Sequence, residues 1–333
     1  MTHEELASCI KELGQPAYRA KQIREWLLRG VGFDGMTNLS KALREQLLES
    51  ADDGLPKIDK KLVSSDGTIK YLFELSDGQK IESVVMDYEH GATICVSSQA
   101  GCRMGCKFCA SNTGGLVRSL KTSEMLGQVL VAQHDSGKRI GGIVLMGIGE
   151  PLDNYDNVIK FIRMASSPDF LNIGQRHISL STCGVVPGIK KLMEEDLQIT
   201  LSISLHATND DERDLIMPVN RKWGLGELLP VCREYFDTTG RRISFEYTLI
   251  EGVNDDDRHA DALAVLLQKH FGREVPFHVN LIPVNEVAGR GFSRSKSAER
   301  FMRRLNTRHV NATIRRSLGG DINASCGQLR NSK

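Results

Sequence analysis

The chain predicts an α/β fold in which a largely parallel sheet, open or curled into a barrel, is flanked by helices. Two observations carry this. From about residue 93 onward, short apolar runs recur at 92–96, 140–146, 177–180, 200–205, 243–250, 277–282 and 312–315, and several are separated by amphipathic stretches such as 124–133, 186–195 and 258–270. Strands alternating with helices in this way bury both faces of a parallel sheet. The second observation is composition: at 333 residues, 40% hydrophobic and 26% charged, the chain is an ordinary globular protein able to bury a large core. No internal repeat or low-complexity segment interrupts the pattern.

The region before residue 93 reads differently. After the breaker Gly14-Gln15-Pro16, residues 18–29 place Ile23, Trp26 and Leu27 on one helical face and Arg19, Lys21 and Arg24 largely elsewhere. A second amphipathic helix spans 39–48, with Ser40 as a candidate cap. Within 57–98 the period shortens: residues 71–75 and 81–86 flank Ser76-Asp77-Gly78, the signature of a β-hairpin with Asp-Gly at its turn.

Residues 1–13 contain acids and lack the apolar stretch of a signal peptide, and no apolar run approaches the ~20 residues that cross a bilayer. A cytoplasmic location is therefore expected. Eight cysteines there point to metal binding or redox catalysis more than to structural disulfides.

Three of those cysteines form the most informative motif. Cys102-Arg103-Met104-Gly105-Cys106-Lys107-Phe108-Cys109 has C-x3-C-x2-C spacing with an aromatic residue before the last thiol. Three thiolates on one short loop can ligate three irons of a cubane cluster and leave the fourth open to a small molecule. Structural zinc is the rival reading, but zinc sites usually draw ligands from two separated pairs. A second motif, Gly147-Ile148-Gly149-Glu150-Pro151, follows the strand at 140–146. Its glycines permit close approach of a ligand to the backbone, and its carboxylate can receive an ammonium group.

The cysteine motif and the glycine-rich strand end resemble those of the radical S-adenosylmethionine (SAM) superfamily. Further motifs narrow the likeness: Ser181-Thr182-Cys183-Gly184-Val185-Val186-Pro187, Ser204-Leu205-His206-Ala207, Pro283-Val284-Asn285 and Asp321-Ile322-Asn323-Ala324-Ser325-Cys326-Gly327-Gln328-Leu329. Together with Cys95-Val96-Ser97-Ser98-Gln99 and Gly14-Gln15-Pro16-Ala17-Tyr18-Arg19 near the start, they resemble the RNA adenine methyltransferases of the RlmN and Cfr type, nearly end to end.

The resemblance implies a partial (β/α) radical SAM barrel at 93–318. It adds a helical RNA-binding accessory domain at 1–55, a β-hairpin extension at 56–92 and a flexible C-terminal tail at 319–333. It implies one [4Fe–4S] cluster held by Cys102, Cys106 and Cys109, and two SAM molecules per turnover in a pocket lined by Gly149, Glu150, Ser181, Ser204, Leu205, His206 and Asn285. Cys326 would carry a methyl group taken from one SAM, while a second, cleaved at the cluster, yields the radical that activates that methyl. Glu82 would remove the ring proton, and Cys95 would release the product through a transient disulfide with Cys326. Read without the resemblance, Cys95 is an inert core thiol and Glu82 a solvated hairpin residue. Cys326, in a tail rich in glycine and small residues, has a setting in which a thiol could move and react. Cys9, Cys183 and Cys232 carry no expected role.

The implied substrate is an adenosine of 23S ribosomal RNA at the peptidyl-transferase centre, methylated at carbon 2, together with the adenosine next to the anticodon of transfer RNA. Methylation at carbon 8, as in Cfr, uses the same cysteines and stays open. A non-catalytic iron–sulfur RNA-binding protein also stays open. A low-potential donor such as flavodoxin or ferredoxin is expected, and the chain is expected to be a monomer.

Charge agrees with an RNA partner. Residues 286–333 hold eleven Lys/Arg (Arg290, Arg294, Lys296, Arg300, Arg303, Arg304, Arg308, Arg315, Arg316, Arg330 and Lys333) against Glu286, Glu299 and Asp321. Residues 1–90 are slightly acidic, with twelve Lys/Arg and sixteen Asp/Glu, so there the helix face bearing Arg19, Lys21, Arg24 and Arg29 must do the attracting.

Overall fold

A computed structural model describes residues 3–89, 91–112, 114–272, 275–285, 287, 289, 291–325 and 327–329. Glu286, Arg290, Cys326, Arg330 and Lys333 lie outside the described residues.

The chain begins with helices α1 (His3–Glu12), α2 (Tyr18–Leu28) and α3 (Lys41–Ser50). Apolar residues spaced at helical intervals, Ala20, Ile23 and Leu27 on α2 and Leu43 and Leu47 on α3, close a small core with Leu6, Ile10 and Phe33. Ser40 is the N-cap of α3, its hydroxyl accepting from the Leu43 N–H as the sequence suggests.

Four strands follow: β1 (Lys57–Val63), β2 (Ile69–Glu74), β3 (Lys80–Tyr88) and β4 (Gly91–Cys95), each antiparallel to the next. The expected hairpin is β2–β3. The sequence does not announce β1, because its residues are almost all exposed and no alternation of burial marks it. It forms a sheet edge, and Lys57, Lys60 and Lys61 along it discourage pairing with another chain.

Next come a short antiparallel pair, β5 (Gln99–Gly101) and β6 (Leu116–Ser119), and helix α4 (Thr122–Ser136). Strand and helix then alternate through β7 (Ile140–Leu145), α5 (Tyr155–Ser166), β8 (Ile178–Thr182), α6 (Val186–Leu192), β9 (Thr200–Ser204), α7 (Asp210–Ile216), α8 (Leu225–Thr239), β10 (Ile243–Leu249), α9 (Asp257–Phe271), β11 (Phe277–Pro283), α10 (Ala298–Thr307) and β12 (Ala312–Ile314). One ten-stranded sheet runs in the order β1-β2-β3-β4-β7-β8-β9-β10-β11-β12, parallel from β4 onward. The hairpin region is therefore continuous with the barrel sheet through the β3–β4 ladder. Among the described residues the end strands β1 and β12 do not pair, so the sheet forms a partial barrel.

The parallel strands alternate in character. On β10, Ile243, Phe245, Tyr247 and Leu249 belong to the main core, and Phe245 meets Phe271 of α9 edge-on at 5.2 Å. The intervening Ser244, Glu246 and Thr248 take the opposite face and are also buried. Helices cover the apolar face, and the polar face lines the barrel's interior.

The helical start is fitted closely against this barrel. A Cβ on Gly127 of α4 would fall 2.2 Å from the Gly54 carbonyl oxygen, so only glycine lets the linker after α3 pass there. Arg24 of α2 donates to the Asp169 carbonyl and stacks on Phe170, its guanidinium carbon 5.2 Å from the ring centre. Arg24 thus docks the accessory helices, while Lys21 and Arg29 remain exposed.

The described part of the C-terminal tail is tied down at both ends. The Gly319 N–H donates to Asp66 at 2.8 Å, and Asp321 accepts from the Ser64 hydroxyl and the Ser65 N–H. Farther on, Gly327 and Leu329 accept through their carbonyls from the Ala110 N–H and the Ser111 hydroxyl.

Among the described residues, five basic side chains of 286–333 face acids from outside the segment. Arg300 faces Asp257, Arg304 and Arg308 share Asp261, Lys296 faces Glu251 and Arg315 lies 3.7 Å from Glu246. These acids come from α9, the turn before it and β10, elements distant in sequence. The local excess therefore does not translate into an equal excess on the surface.

Candidate active site

The cysteine loop runs from the end of β5 back toward β6. The Cys102 N–H donates to the Gly115 carbonyl at 2.9 Å, the Lys107 N–H to the Ile216 carbonyl at 2.9 Å, and the Asn112 side chain to the Cys106 carbonyl at 2.7 Å. Arg103 pairs with Asp153. Held this way, Cys102, Cys106 and Cys109 all line one cavity at the mouth of the barrel. All three are free thiols. Burial pushes Cys102 up to about 12 and raises Cys106 as well, with the neighbouring thiols and Glu150 adding to it. Ligation of a metal would therefore expel protons that these thiols otherwise keep.

The donor set fits an iron–sulfur cluster better than zinc. Among the described residues, no group of three or more His, Cys, Asp or Glu is gathered to hold a single ion. Three thiols around a shared cavity, without convergence on one point, suit the corners of a larger cluster.

The opposite wall comes from strand ends. Gly149 adopts φ +109°, and a Cβ there would fall 2.6 Å from the Cβ of Gln99, so the strand-end turn requires glycine. Glu150 is fully buried, and each of its oxygens accepts a backbone N–H, from Leu152 at 3.0 Å and from Cys183 at 2.8 Å. Desolvation raises its pKa, and the two N–H donors oppose that rise. Ser181 of β8, Ser204 at the end of β9, His206 and Asn285 complete the expected group on the cavity wall. Leu205 does not line the cavity: its side chain belongs to the core and its N–H donates to the Glu246 carbonyl.

His206 has φ +61°, an uncommon conformation for a non-glycine residue. Its Nδ1 accepts the Thr248 N–H at 2.9 Å, and Phe108 of the cysteine loop packs edge-on at 4.9 Å. Burial and the Arg213 charge lower its pKa to about 3, so the ring is neutral with its proton on Nε2.

Several residues of this site escape reading in the sequence. Arg213 is fully buried and donates to the carbonyls of Leu205, Cys183 and Ser204 and to the Asn220 side chain, at 2.8 to 3.0 Å. It joins the ends of β8 and β9 beneath the cavity. Cys183 lines the cavity and lends its N–H to Glu150. Glu246 also lines it, with Oε1 accepting from Ser244 and Asn280 while Oε2, though buried, has no hydrogen-bond partner. A buried carboxylate oxygen with spare acceptor capacity suits a ligand rich in donors, as SAM is with its ammonium, amine and ribose hydroxyls. The polar alternation of β8, β9 and β10 was the available signal. Wholly buried parallel strands are usually apolar on both faces, and Ser, Glu and Thr on one face mark a hydrophilic interior.

A second, smaller cavity adjoins the first. Met146, Ile282, Asn285 and Arg315 belong to the lining of both. Cys95, the last residue of β4, lines the second cavity, buried with Val84, Ile148, Ala324 and Leu329. In the tail, Ser325 lines the second cavity and Gly327 the first. Glu82 lines neither. It lies on β3, buried, in an ion pair with Lys70 at 2.9 Å. Asn285 accepts from Arg294 at 3.4 Å.

Two family models match the chain: the radical SAM superfamily over residues 96–264, and the ribosomal RNA large subunit methyltransferase N-terminal domain over residues 1–52. A probable dual-specificity RNA methyltransferase RlmN of Lachnoclostridium phytofermentans is 51% identical over 340 residues, covering 100% of this chain and 93% of the relative. Its counterpart in Clostridium novyi is 51% identical over 334 residues, covering 99% and 96%. Among solved structures, a radical SAM methyltransferase from Sphaerobacter thermophilus superposes with a TM-score of 0.91 at 43% identity, covering 99% of this chain and 97% of that one. With likeness of this extent over nearly the whole length, the chain belongs to the radical SAM superfamily and, within it, to the RlmN family.

Proposed function

We propose that this chain methylates carbon 2 of an adenosine in 23S ribosomal RNA at the peptidyl-transferase centre, and of the adenosine next to the anticodon in transfer RNA. Its relatives bear the name dual-specificity RNA methyltransferase, and its N-terminal helices match a domain described for ribosomal RNA methyltransferases. One observation supports the use of two cysteines. Cys95 opens on one cavity and the cysteine loop on the other, and the residues on either side of Cys326 belong to different cavities, Ser325 to the first of these and Gly327 to the second.

Carbon 2 of adenine lies between two ring nitrogens and is too electron-poor to displace a methyl group from a sulfonium directly, so a covalent carrier divides the task. Cys102, Cys106 and Cys109 would hold a [4Fe–4S] cluster, and Gly149, Glu150, Ser181, Ser204, His206 and Asn285 would hold SAM, with Leu205 packed in the core behind them. Bound there, the two groups supply methyl transfer and one-electron reductive cleavage, fed by a flavodoxin- or ferredoxin-class donor.

The chain's own residues do the rest. Cys326 carries the methyl carbon to the base. Glu82 accepts the proton that leaves carbon 2. Cys95 Sγ attacks Cys326 Sγ, breaking the sulfur–carbon bond, and the carbon stays on adenine and takes up a proton. An external dithiol then reopens the disulfide. Exposed Lys21 on α2 and Arg29 at its C-cap contribute phosphate contacts.

The test is mass mapping of the methyl position on 23S and transfer RNA from cells with and without this chain, alongside the Cys326→Ala variant. Carbon 2 methylation that disappears in both the deletion and the variant is the expected result. A methyl at carbon 8 would make the activity Cfr-like. Full methylation by Cys326→Ala would refute the carrier.

A further inference from the structure

We propose that Lys70 is a positioning residue that links the base Glu82 to the tail bearing Cys326; this rests on the roles proposed above for those two residues. Register sets the geometry. Lys70 of β2 lies opposite Val84 of β3, and Val84 lies opposite Cys95 of β4, so the three form one cross-strand row. Glu82, two residues along β3 from Val84, shares that face. The tail residues Ala324 and Leu329 pack on the same row.

On this face the Lys70 ammonium meets two partners. It pairs with Glu82 Oε1 at 2.9 Å and donates to the Asn323 carbonyl at 3.0 Å. The lysine and glutamate side chains are 9% and 7% exposed. A buried ion pair is seldom the most stable filling for such a place, since a hydrophobic pair of similar volume does as well or better. Charge retained there suits a functional need.

The need is visible in the contacts. One donor orients the Glu82 carboxylate, and another fixes the backbone three residues before Cys326. Carrier segment and base therefore share a single cationic clamp. Asp66 to Gly319 and Asp321 to Ser64 hold the tail upstream of Asn323, and Ala110 to Gly327 and Ser111 to Leu329 hold it downstream; none of these four contacts is made to Glu82.

The experiment compares full-length, cluster-loaded wild type with Lys70→Met, Lys70→Arg and Glu82→Gln. It reads hydrogen exchange in the peptide spanning 319–329, the fraction of Cys326 carrying a methyl group, and kcat and KM on a 23S RNA fragment. In Lys70→Met, tail exchange rises about tenfold and kcat falls on the order of a hundredfold, with KM, iron content and Cys326 methylation retained. Lys70→Arg, which keeps the charge and its donors, recovers most of both losses. Glu82→Gln loses kcat but keeps the tail protected, because Lys70 still reaches Asn323. Wild-type kcat and tail protection in Lys70→Met, with Glu82→Gln inactive, overturn the clamp and leave the proposed function standing. Loss of iron and stability in both lysine variants, without rescue by arginine, assigns Lys70 to folding alone and also overturns the proposal. Full activity in Glu82→Gln removes the base itself, and the clamp with it.

Discussion

Replacing Arg213 with methionine tests whether the floor of the cavity depends on one buried guanidinium. The side chain is fully buried and makes four hydrogen bonds, to the carbonyls of Leu205, Cys183 and Ser204 and to the Asn220 side chain. Methionine fills similar volume without a donor, leaving four buried acceptors to find other partners. An unsatisfied buried acceptor costs about 1–3 kcal/mol. Removing a buried charge returns part of that loss, because its desolvation no longer opposes folding. A net destabilisation of about 4 kcal/mol follows. For a chain of 333 residues, an unfolding entropy of ~0.7 kcal/mol/K translates this into a fall in Tm of about 6 °C. The strand ends that Arg213 joins carry Ser204 and the Cys183 N–H bonded to Glu150, so SAM affinity should weaken as well. Anaerobic calorimetry of the cluster-loaded protein gives Tm, and isothermal titration gives the SAM Kd. A Tm within about 1 °C of wild type, with unchanged SAM affinity, would refute the reasoning. It would mean that the strand ends are held by their own packing.

Three further outcomes are expected. Single Cys102→Ala, Cys106→Ala and Cys109→Ala variants should each lose most of the bound iron and its visible absorbance, read by iron assay and spectroscopy after reconstitution, while Cys232→Ala, altering a buried core thiol, should keep both. His206 has a pKa of about 3 in the folded chain against the ordinary 6.5 of histidine, so the stability tied to its neutral form is present above 6.5 and is lost as pH falls toward 3. Each pH unit in that window removes up to ~1.4 kcal/mol, and His206→Gln should show a shallower fall in Tm between pH 6.5 and 5; parallel curves would contradict this. Gly149→Ala must place a Cβ 2.6 Å from Gln99 at φ +109°, so it should destabilise the chain by about 2 kcal/mol and weaken SAM binding, whereas wild-type Tm and Kd would show that the turn is not constrained.

Much of the fold could be read residue by residue. The runs that became β4 and β7 to β12 are dense in β-branched and aliphatic residues, and the helices between them carry apolar residues at helical spacing. Ser40 shows its capping role in composition alone, since a serine before an amphipathic run has few other uses. The edge strand β1 was hidden, because it buries almost nothing and takes its conformation from pairing with β2. Charge also misled in part. Arg24 reads as a phosphate contact yet docks the helical start on the barrel, and arginines of α10 meet the acids of α9.

Sequence by itself determined the chemistry on offer: three thiols at cluster spacing, the strand-end glycines with Glu150, and a tail cysteine among small residues. These are local properties, set by residue type and by separations of a few positions, and folding does not alter them. Tertiary structure alone decided which groups meet. Lys70, Glu82 and Asn323 share a clamp, and Arg213 joins two strand ends, because register and the curl of the sheet bring together residues up to 253 positions apart in the chain. No spacing along the chain encodes such neighbours; they exist only once burial of the apolar faces has chosen one packing among many.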